Sequence, residues 1–218
     1  MKKFINTLVR LPNLRSLNLL RVSRRTPVTA ALKRKCAMFP NIREMVVDDV
    51  YPDFIKSCPN LESLTFRYGL FGCACRVIKS YGAGLKRVTG LDIHTLPNCI
   101  ETMVQNCPEL QEIGLVVYLR LGPAIAHDVF NQLRQIKYLA IVEVDFIERK
   151  GEPFAPPQDV LEDTRNVWKH GIVELLKNNT SESRKLLRWC TIGDQKFGCP
   201  GYEIVESGEM EVFPETSL

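Results

Sequence analysis

The sequence predicts an α/β solenoid: about six strand–helix repeats stacked into a curved parallel sheet, with a helix-plus-hairpin cap at the C-terminal end. Three observations predict it. A phrase of the form Leu-x-x-Leu-x-Leu recurs through the first two thirds of the chain. Its copies are spaced closely enough for each to be one supersecondary unit. A proline stands at a fixed distance before four of them.

The clearest copies are Leu14 to Leu19, Leu61 to Phe66, Leu110 to Leu115 and Ile136 to Ile141. Ile42 to Val47 is a conservative version and Leu85 to Gly90 a weaker one. First positions at 14, 42, 61, 85, 110 and 136 give spacings of 28, 19, 24, 25 and 26 residues. A period in that range around such a core is the signature of leucine-rich repeats. Apolar and polar residues alternate within each phrase, which is the period of a strand. Leu17, Leu19, Leu64, Phe66, Leu110, Ile113, Leu139 and Ile141 are therefore expected to form one continuous core.

The return segments read as helices. Lys3 to Leu11, Val28 to Met38, Cys73 to Tyr81, Ile100 to Cys107 and Ala124 to Leu133 place apolar residues three or four apart. Tyr51 to Cys58 is shorter and accounts for the 19-residue spacing. Pro12, Pro40, Pro59 and Pro108 each lie two residues before a repeat's first apolar position. Proline lacks a backbone N–H and clashes with the preceding turn, so it ends the helix and directs the chain into the strand. Cys58 and Cys107 precede two of these prolines, where a small apolar side chain suits a buried corner.

The pattern divides the chain into a repeat region over residues 1–148, a Pro-rich loop over 149–157 and a cap over 158–218. Asp159 to Leu176 reads as one long helix with a broad apolar face. Leu187 to Ile192 matches the repeat loosely and is a candidate seventh strand. Tyr202 to Glu206 and Glu209 to Phe213 flank Ser207-Gly208 and predict a hairpin. A solenoid needs such an end unit to cover its last core layer. At the other end, Lys3 to Leu11 looks like the return helix of a repeat whose strand is missing, so the chain is expected to begin in mid-solenoid.

Charge is unevenly distributed. Residues 1–43 hold eleven Lys or Arg and no acid, within a net charge of +4. Residues 201–218 hold five Glu and no base. The basic segment reads as the solvated outer face of the first repeat, as an arm for an anionic partner, or as a mitochondrial presequence. The repeat at Leu14 to Leu19 inside it favours the first reading. The expected location is cytoplasmic or nuclear, with mitochondrial targeting as the alternative. No apolar run approaches the roughly 18 residues that a membrane span needs, so no membrane partner is expected. Nucleic acid is disfavoured as a partner too. Arg21, Arg24, Arg25, Lys33, Arg34 and Lys35 could neutralise phosphates, but only Phe4 and Phe39 are aromatic there.

Marks of catalysis are missing. His94, His127 and His170 are scattered, and neither HExxH nor GxSxG occurs. Gly82-Ala-Gly84 lacks the third glycine of a dinucleotide loop and precedes a strand rather than following one. The eight cysteines include no CxxC. Cys73-Ala-Cys75 has no second pair to complete a zinc site. The reading is a non-enzymatic protein-binding module with no cofactor and no metal.

The Cys58-Pro-Asn-Leu61 and Cys107-Pro-Glu-Leu110 junctions, each running into Leu-x-x-Leu-x-Leu, resemble the repeats of F-box/leucine-rich-repeat proteins, especially the degenerate fungal group. The tryptophan-bearing segment Leu186 to Ile192 before a charged terminal hairpin is also similar. The resemblance covers residues 3–148 well and the cap loosely. It implies recognition of a target protein by the repeats and recruitment of a ubiquitin ligase through an N-terminal F-box. The sequence departs from that pattern twice. The repeats begin almost at Met1 with no F-box before them, so an adaptor contact would require a segment upstream. The family's Asn at the ninth repeat position is replaced by Val22, Val50, Gly69, Ile93, Tyr118 and Val144. The alternative is a scaffold or regulatory repeat protein unrelated to ubiquitin, such as one that binds a GTPase.

Side chains at the x positions of each strand face the concave surface, because successive residues alternate sides. The expected protein-binding residues are Asn18, Arg21, Glu44, Asp48, Asp49, Thr65, Arg67, Tyr68, Arg87, Asp92, Glu112, Tyr138 and Glu143. Mixed charge with Tyr and Arg is a composition found at interfaces.

Overall fold

Each Leu-x-x-Leu-x-Leu phrase becomes a strand because its apolar side chains reach a core only when they all point the same way. A computed structural model describes residues 2–19, 37–47, 52–67, 71–92, 98–118, 124–147, 158–177, 189–192, 195–198 and 210–211. The strands are β1 (Ser16–Leu19), β2 (Glu44–Val47), β3 (Ser63–Phe66), β4 (Arg87–Asp92), β5 (Glu112–Tyr118), β6 (Ile141–Ile147) and β7 (Trp189–Ile192). They lie side by side in sequence order, each parallel to the next. The helices are α1 (Lys2–Val9), α2 (Pro52–Lys56), α3 (Phe71–Tyr81), α4 (Cys99–Asn106), α5 (Ala124–Leu133) and α6 (Gln158–Lys177). The protein is thus α/β, with a parallel sheet alternating with helices in a repeat-like order. None of the helices is long and apolar enough to cross a membrane, among the described residues.

Among the described residues, one backbone arrangement recurs five times. The Arg15 carbonyl accepts from the Arg43 and Glu44 amides at 2.7 and 3.1 Å. The Arg43 carbonyl accepts from Glu62 and Ser63, that of Glu62 from Lys86 and Arg87, and that of Lys86 from Gln111 and Glu112. The Gln111 carbonyl accepts from Ala140 and Ile141 at 2.7 and 3.0 Å. Just upstream, a tight turn closes each unit: the amides of Leu14, Ile42, Leu61, Leu85, Leu110 and Ile136 bond the carbonyl three residues back. An asparagine adds to this in the early units. Asn41 Nδ2 donates to the Pro12 carbonyl, and Asn60 Nδ2 donates to the Pro40 carbonyl at 2.9 Å. These bonds link Pro-Asn-Leu or Pro-Asn-Ile corners.

With strands in this register, their alternate side chains stack. Leu17, Met45, Leu64, Val88, Ile113 and Val142 form one buried row, and Leu19, Val47, Phe66, Leu91, Leu115 and Val144 the next. The helices complete the same core with Ile5, Phe54, Ile78, Met103, Phe130 and Trp168. Phe39 and Phe54 stack with centroids 5.3 Å apart. Phe130 meets Trp168 of α6 edge-on at 5.3 Å. α6 can approach α5 because Gly171 has no side chain; a Cβ there would lie 2.1 Å from the Phe130 ring.

Three expectations need correction. The sixth repeat begins at Leu139, not Ile136. Val142 pairs with Ile113 and is fully buried, while Ile141 pairs with Glu112 and is half-exposed. Ile136 keeps the turn bond of the other units, to Leu133, but three further residues precede the strand. Val144 is therefore a core residue of β6 rather than a ninth-position residue. Secondly, the weak repeat at Leu85 to Gly90 contains a bulge: Val88 opposes Ile113, but Leu91 opposes Leu115. Gly90 has φ +75°, and a Cβ there would fall 1.8 Å from the Phe66 carbonyl oxygen, so only glycine fits. Leu91 then takes the core place that the sequence phrase gave to Gly90.

Thirdly, Ala37 and Met38 are not helical, and the remainder of Val28 to Met38 lies outside the described residues. Near the C-terminal end β7 pairs antiparallel with β8 (Gln195–Gly198), and β9 (Met210–Glu211) runs parallel to β8. Tyr202 to Glu206, the expected partner of the final strand, is outside the described residues. The other helices and β7 match their expected positions within two residues.

Leu64 is fully buried and its neighbour Thr65 is not. Leu64→Ala is expected to cost ~2–5 kcal/mol. Thr65→Ala should cost only about 1 kcal/mol, the worth of its 2.8 Å hydroxyl bond to Thr89. The register of β6 gives a second contrast: Val142→Ala should lower the urea midpoint much more than Ile141→Ala. The reverse order would restore the register beginning at Ile136.

Candidate functional site

The strand residues that alternate with the core rows form the open face of the sheet. From β1 to β6 these are Ser16 and Asn18, Glu44 and Val46, Ser63 and Thr65, Arg87 and Thr89, Glu112 and Gly114, and Ile141 and Glu143. Most are half-exposed or exposed; Thr89 and Gly114 are buried. Arg67 follows β3 on the same side and is exposed, as is Asp145 in β6. The face is small and uncharged in β1, carries mixed charge in its middle and becomes acidic at Glu143 and Asp145.

Ion pairs cross from one unit to the next. Arg87 Nε lies 2.8 Å from Glu112 Oε1 on the face itself. Along the rim, Glu62 holds Arg43 at 2.8 Å and Lys86 at 3.5 Å. The rim groups are well exposed, and such pairs contribute at most about 1 kcal/mol each. Glu112 is different because its carboxylate is mostly covered. Burial raises its pKa above the usual carboxylate range; Arg87 opposes that shift and Glu143 adds to it.

Of the thirteen residues expected on the face, Asn18, Glu44, Thr65, Arg67, Arg87, Glu112 and Glu143 are there. Two stand apart from these. Asp92 pairs with Val116, between the core residues Leu115 and Val117, so it is on the open-face side, but it is covered, 1% exposed. Tyr138 lies in the turn before β6, because the strand starts three residues later than the phrase suggests. It remains exposed there, with the Lys137 ammonium 4.9 Å from its ring centre. Arg21, Asp48, Asp49 and Tyr68 are outside the described residues. Val46, Ile141 and Asp145 were missed, the first two because apolar residues at x positions look like core.

His127 and His170 are exposed on α5 and α6, and His94 is outside the described residues. Among the described residues, no group of three or more His, Cys, Asp or Glu is placed to hold a metal ion. The side chain of Cys73 is outside that description. Cys58 and Cys107 occupy equivalent buried corners, and burial pushes both thiols up to about 12. No protein-family model, curated protein or solved structure matches this chain.

The raised pKa of Glu112 has a sign that can be tested. Ionising this carboxyl costs more in the folded chain than in the unfolded one. Its stabilising effect is complete below the ordinary glutamate value of about 4.3 and is lost as pH rises through the higher folded value. Glu112→Gln, neutral and similar in shape, should therefore raise the melting temperature at neutral pH. The two proteins should converge below about pH 4. A lower melting temperature for the variant at neutral pH would mean that the Arg87 bridge outweighs burial.

Proposed function

We propose that this chain is a leucine-rich-repeat solenoid that binds a protein segment on the open face of its sheet. One observation carries the reading. Six strands in sequence order bury two rows of side chains among helices and turn the alternate residues to the open face, with mixed charge in the middle. In this reading α6 and β7 to β9 form a cap over the last core layer, with Trp168 and Ile172 as its buried anchors. Residues 1–148 are the recognition unit, 149–157 the loop to the cap, and 158–218 the cap. The work is binding, not turnover. The junction resemblance supports a place on the substrate-recognition side of F-box-type ubiquitin ligation, in the cytoplasm or nucleus.

Affinity purification of the chain from cells, followed by mass spectrometry, tests the assignment. Recovery of a cullin adaptor together with a target protein supports the F-box reading. A stable GTPase partner without an adaptor supports the scaffold alternative, and turnover of a small molecule by the purified chain would overturn both. Once a partner is in hand, Arg67→Ala combined with Arg87→Ala should weaken binding by at least ~2 kcal/mol in calorimetry, the scale of an interface hot spot. Unchanged affinity would move the site off this face.

A further inference from the structure

Two neighbouring hollows mark the corner where the first two repeats meet. One, of about 350 Å³, is lined by Pro12, Asn13, Arg15, Asn41 and Arg43. It holds two guanidinium groups and no carboxylate. The other, of about 190 Å³, is lined mainly by apolar side chains, with Val9, Leu11 and Leu14 from the first repeat and Met38 and Pro40 from the second. Pro12 and Asn41 line both hollows, joined by the bond from Asn41 Nδ2 to the Pro12 carbonyl. Val9, Leu11 and Met38 are 55, 47 and 56% exposed. They are three of the four large apolar residues that stand exposed among the described residues, the fourth being Tyr138. Apolar side chains scattered singly over a surface need no explanation, but a cluster left open beside charge marks a place of contact.

The rim charges show what the first hollow lacks. Arg15, Arg43, Glu62 and Lys86 hold the same place in successive units, since each gives its carbonyl to the ladder. Neighbouring strands lie only about 4.8 Å apart. Glu62 has a basic residue on each side and pairs with both. Arg15 has only another arginine beside it, and it makes no ion pair among the described residues. Residues 1–43 contain no Asp or Glu to place there. Asn13 stands where Asn41 and Asn60 stand in the next two units, but among the described residues no preceding unit takes its amide.

We propose that this corner docks a short acidic segment of another protein, which sets a carboxylate between Arg15 and Arg43 and an apolar side chain in the groove beside them. The carboxylate does for Arg15 and Arg43 what Glu62 does for Arg43 and Lys86. The planar fork of a guanidinium matches the two oxygens of a carboxylate. The Asn13 amide donates to a backbone carbonyl of the same segment. An exposed ion pair alone holds little, so the apolar contact supplies the grip and the charge supplies the selection. The site lies at the strand starts, off the open face of the sheet, and does not depend on that face being a binding surface.

The test pans a phage library of random dodecapeptides against the full chain and measures the selected peptides by fluorescence anisotropy. The expected sequences carry Asp or Glu close to a large apolar residue. Arg15→Glu should weaken their binding at least ~10-fold, and Met38→Ser should weaken the same peptides to a smaller degree. Both side chains are exposed, and the carboxylate introduced at position 15 can pair with Arg43, so the melting temperature should not fall in either variant. Arg67→Ala combined with Arg87→Ala, on the open face, should leave this binding intact. Recovery of no peptides, of peptides without an acid, or of peptides indifferent to Arg15→Glu would each overturn the proposal. Peptides that depend on Arg67 and Arg87 but not on Arg15 would overturn it while leaving the open face as a binding surface. Self-association of the chain that Met38→Ser abolishes would give the groove to a second copy, and would overturn it too.

Discussion

Five carbonyls, each taking two amides from the next repeat, set the geometry on which everything else depends. A carbonyl oxygen has two lone pairs and can accept both bonds. Two consecutive amides on one oxygen leave little freedom in offset or tilt. The following strand must start level with the one before it, so its inward residues fall directly on the previous pair. The two core rows follow from that offset. The ladder also satisfies the amides at the starts of β2 to β6, which find their partners in the backbone of the preceding repeat. Asn41 and Asn60 reinforce the same corner from their side chains, and the later units, with Gly84, Glu109 and Tyr138 at or near that place, have no such amide to offer.

The first three strands and the fifth were legible because Leu-x-x-Leu-x-Leu fits them in only one register. Ile136 to Val144 is different. Its apolar residues satisfy the phrase whether it starts at 136 or 139, and the turn bond at Ile136 follows the pattern of the other repeats. Three inserted residues separate turn from strand, and nothing in the apolar pattern marks them. The displaced Tyr138 and the half-exposed Ile141 both follow from that slip. At β4 the phrase ended on a glycine, which looked like a weak repeat. The physical cause is an added residue with positive φ beside the Phe66 carbonyl, and the strand regains its register at Leu91.

The candidate face was half legible for the same reason. Alternation identifies which side a residue faces, so Asn18, Glu44, Thr65, Arg87 and Glu112 could be read from the phrase. It cannot tell how deep a residue sits. Asp92 carries a charge that suggests exposure, yet it is only 1% exposed.

The central claim is that the carbonyl ladder, rather than each separate turn, holds the repeats in register. Native-state hydrogen exchange measures it most directly. The account predicts that the amides of Arg43, Glu44, Glu62, Ser63, Lys86, Arg87, Gln111, Glu112, Ala140 and Ile141 exchange slowly and as one set. Their protection should match that of the buried strand residues and fall together in mild denaturant. Fast, independent exchange at these ten amides, with protection confined to the helices, would contradict it.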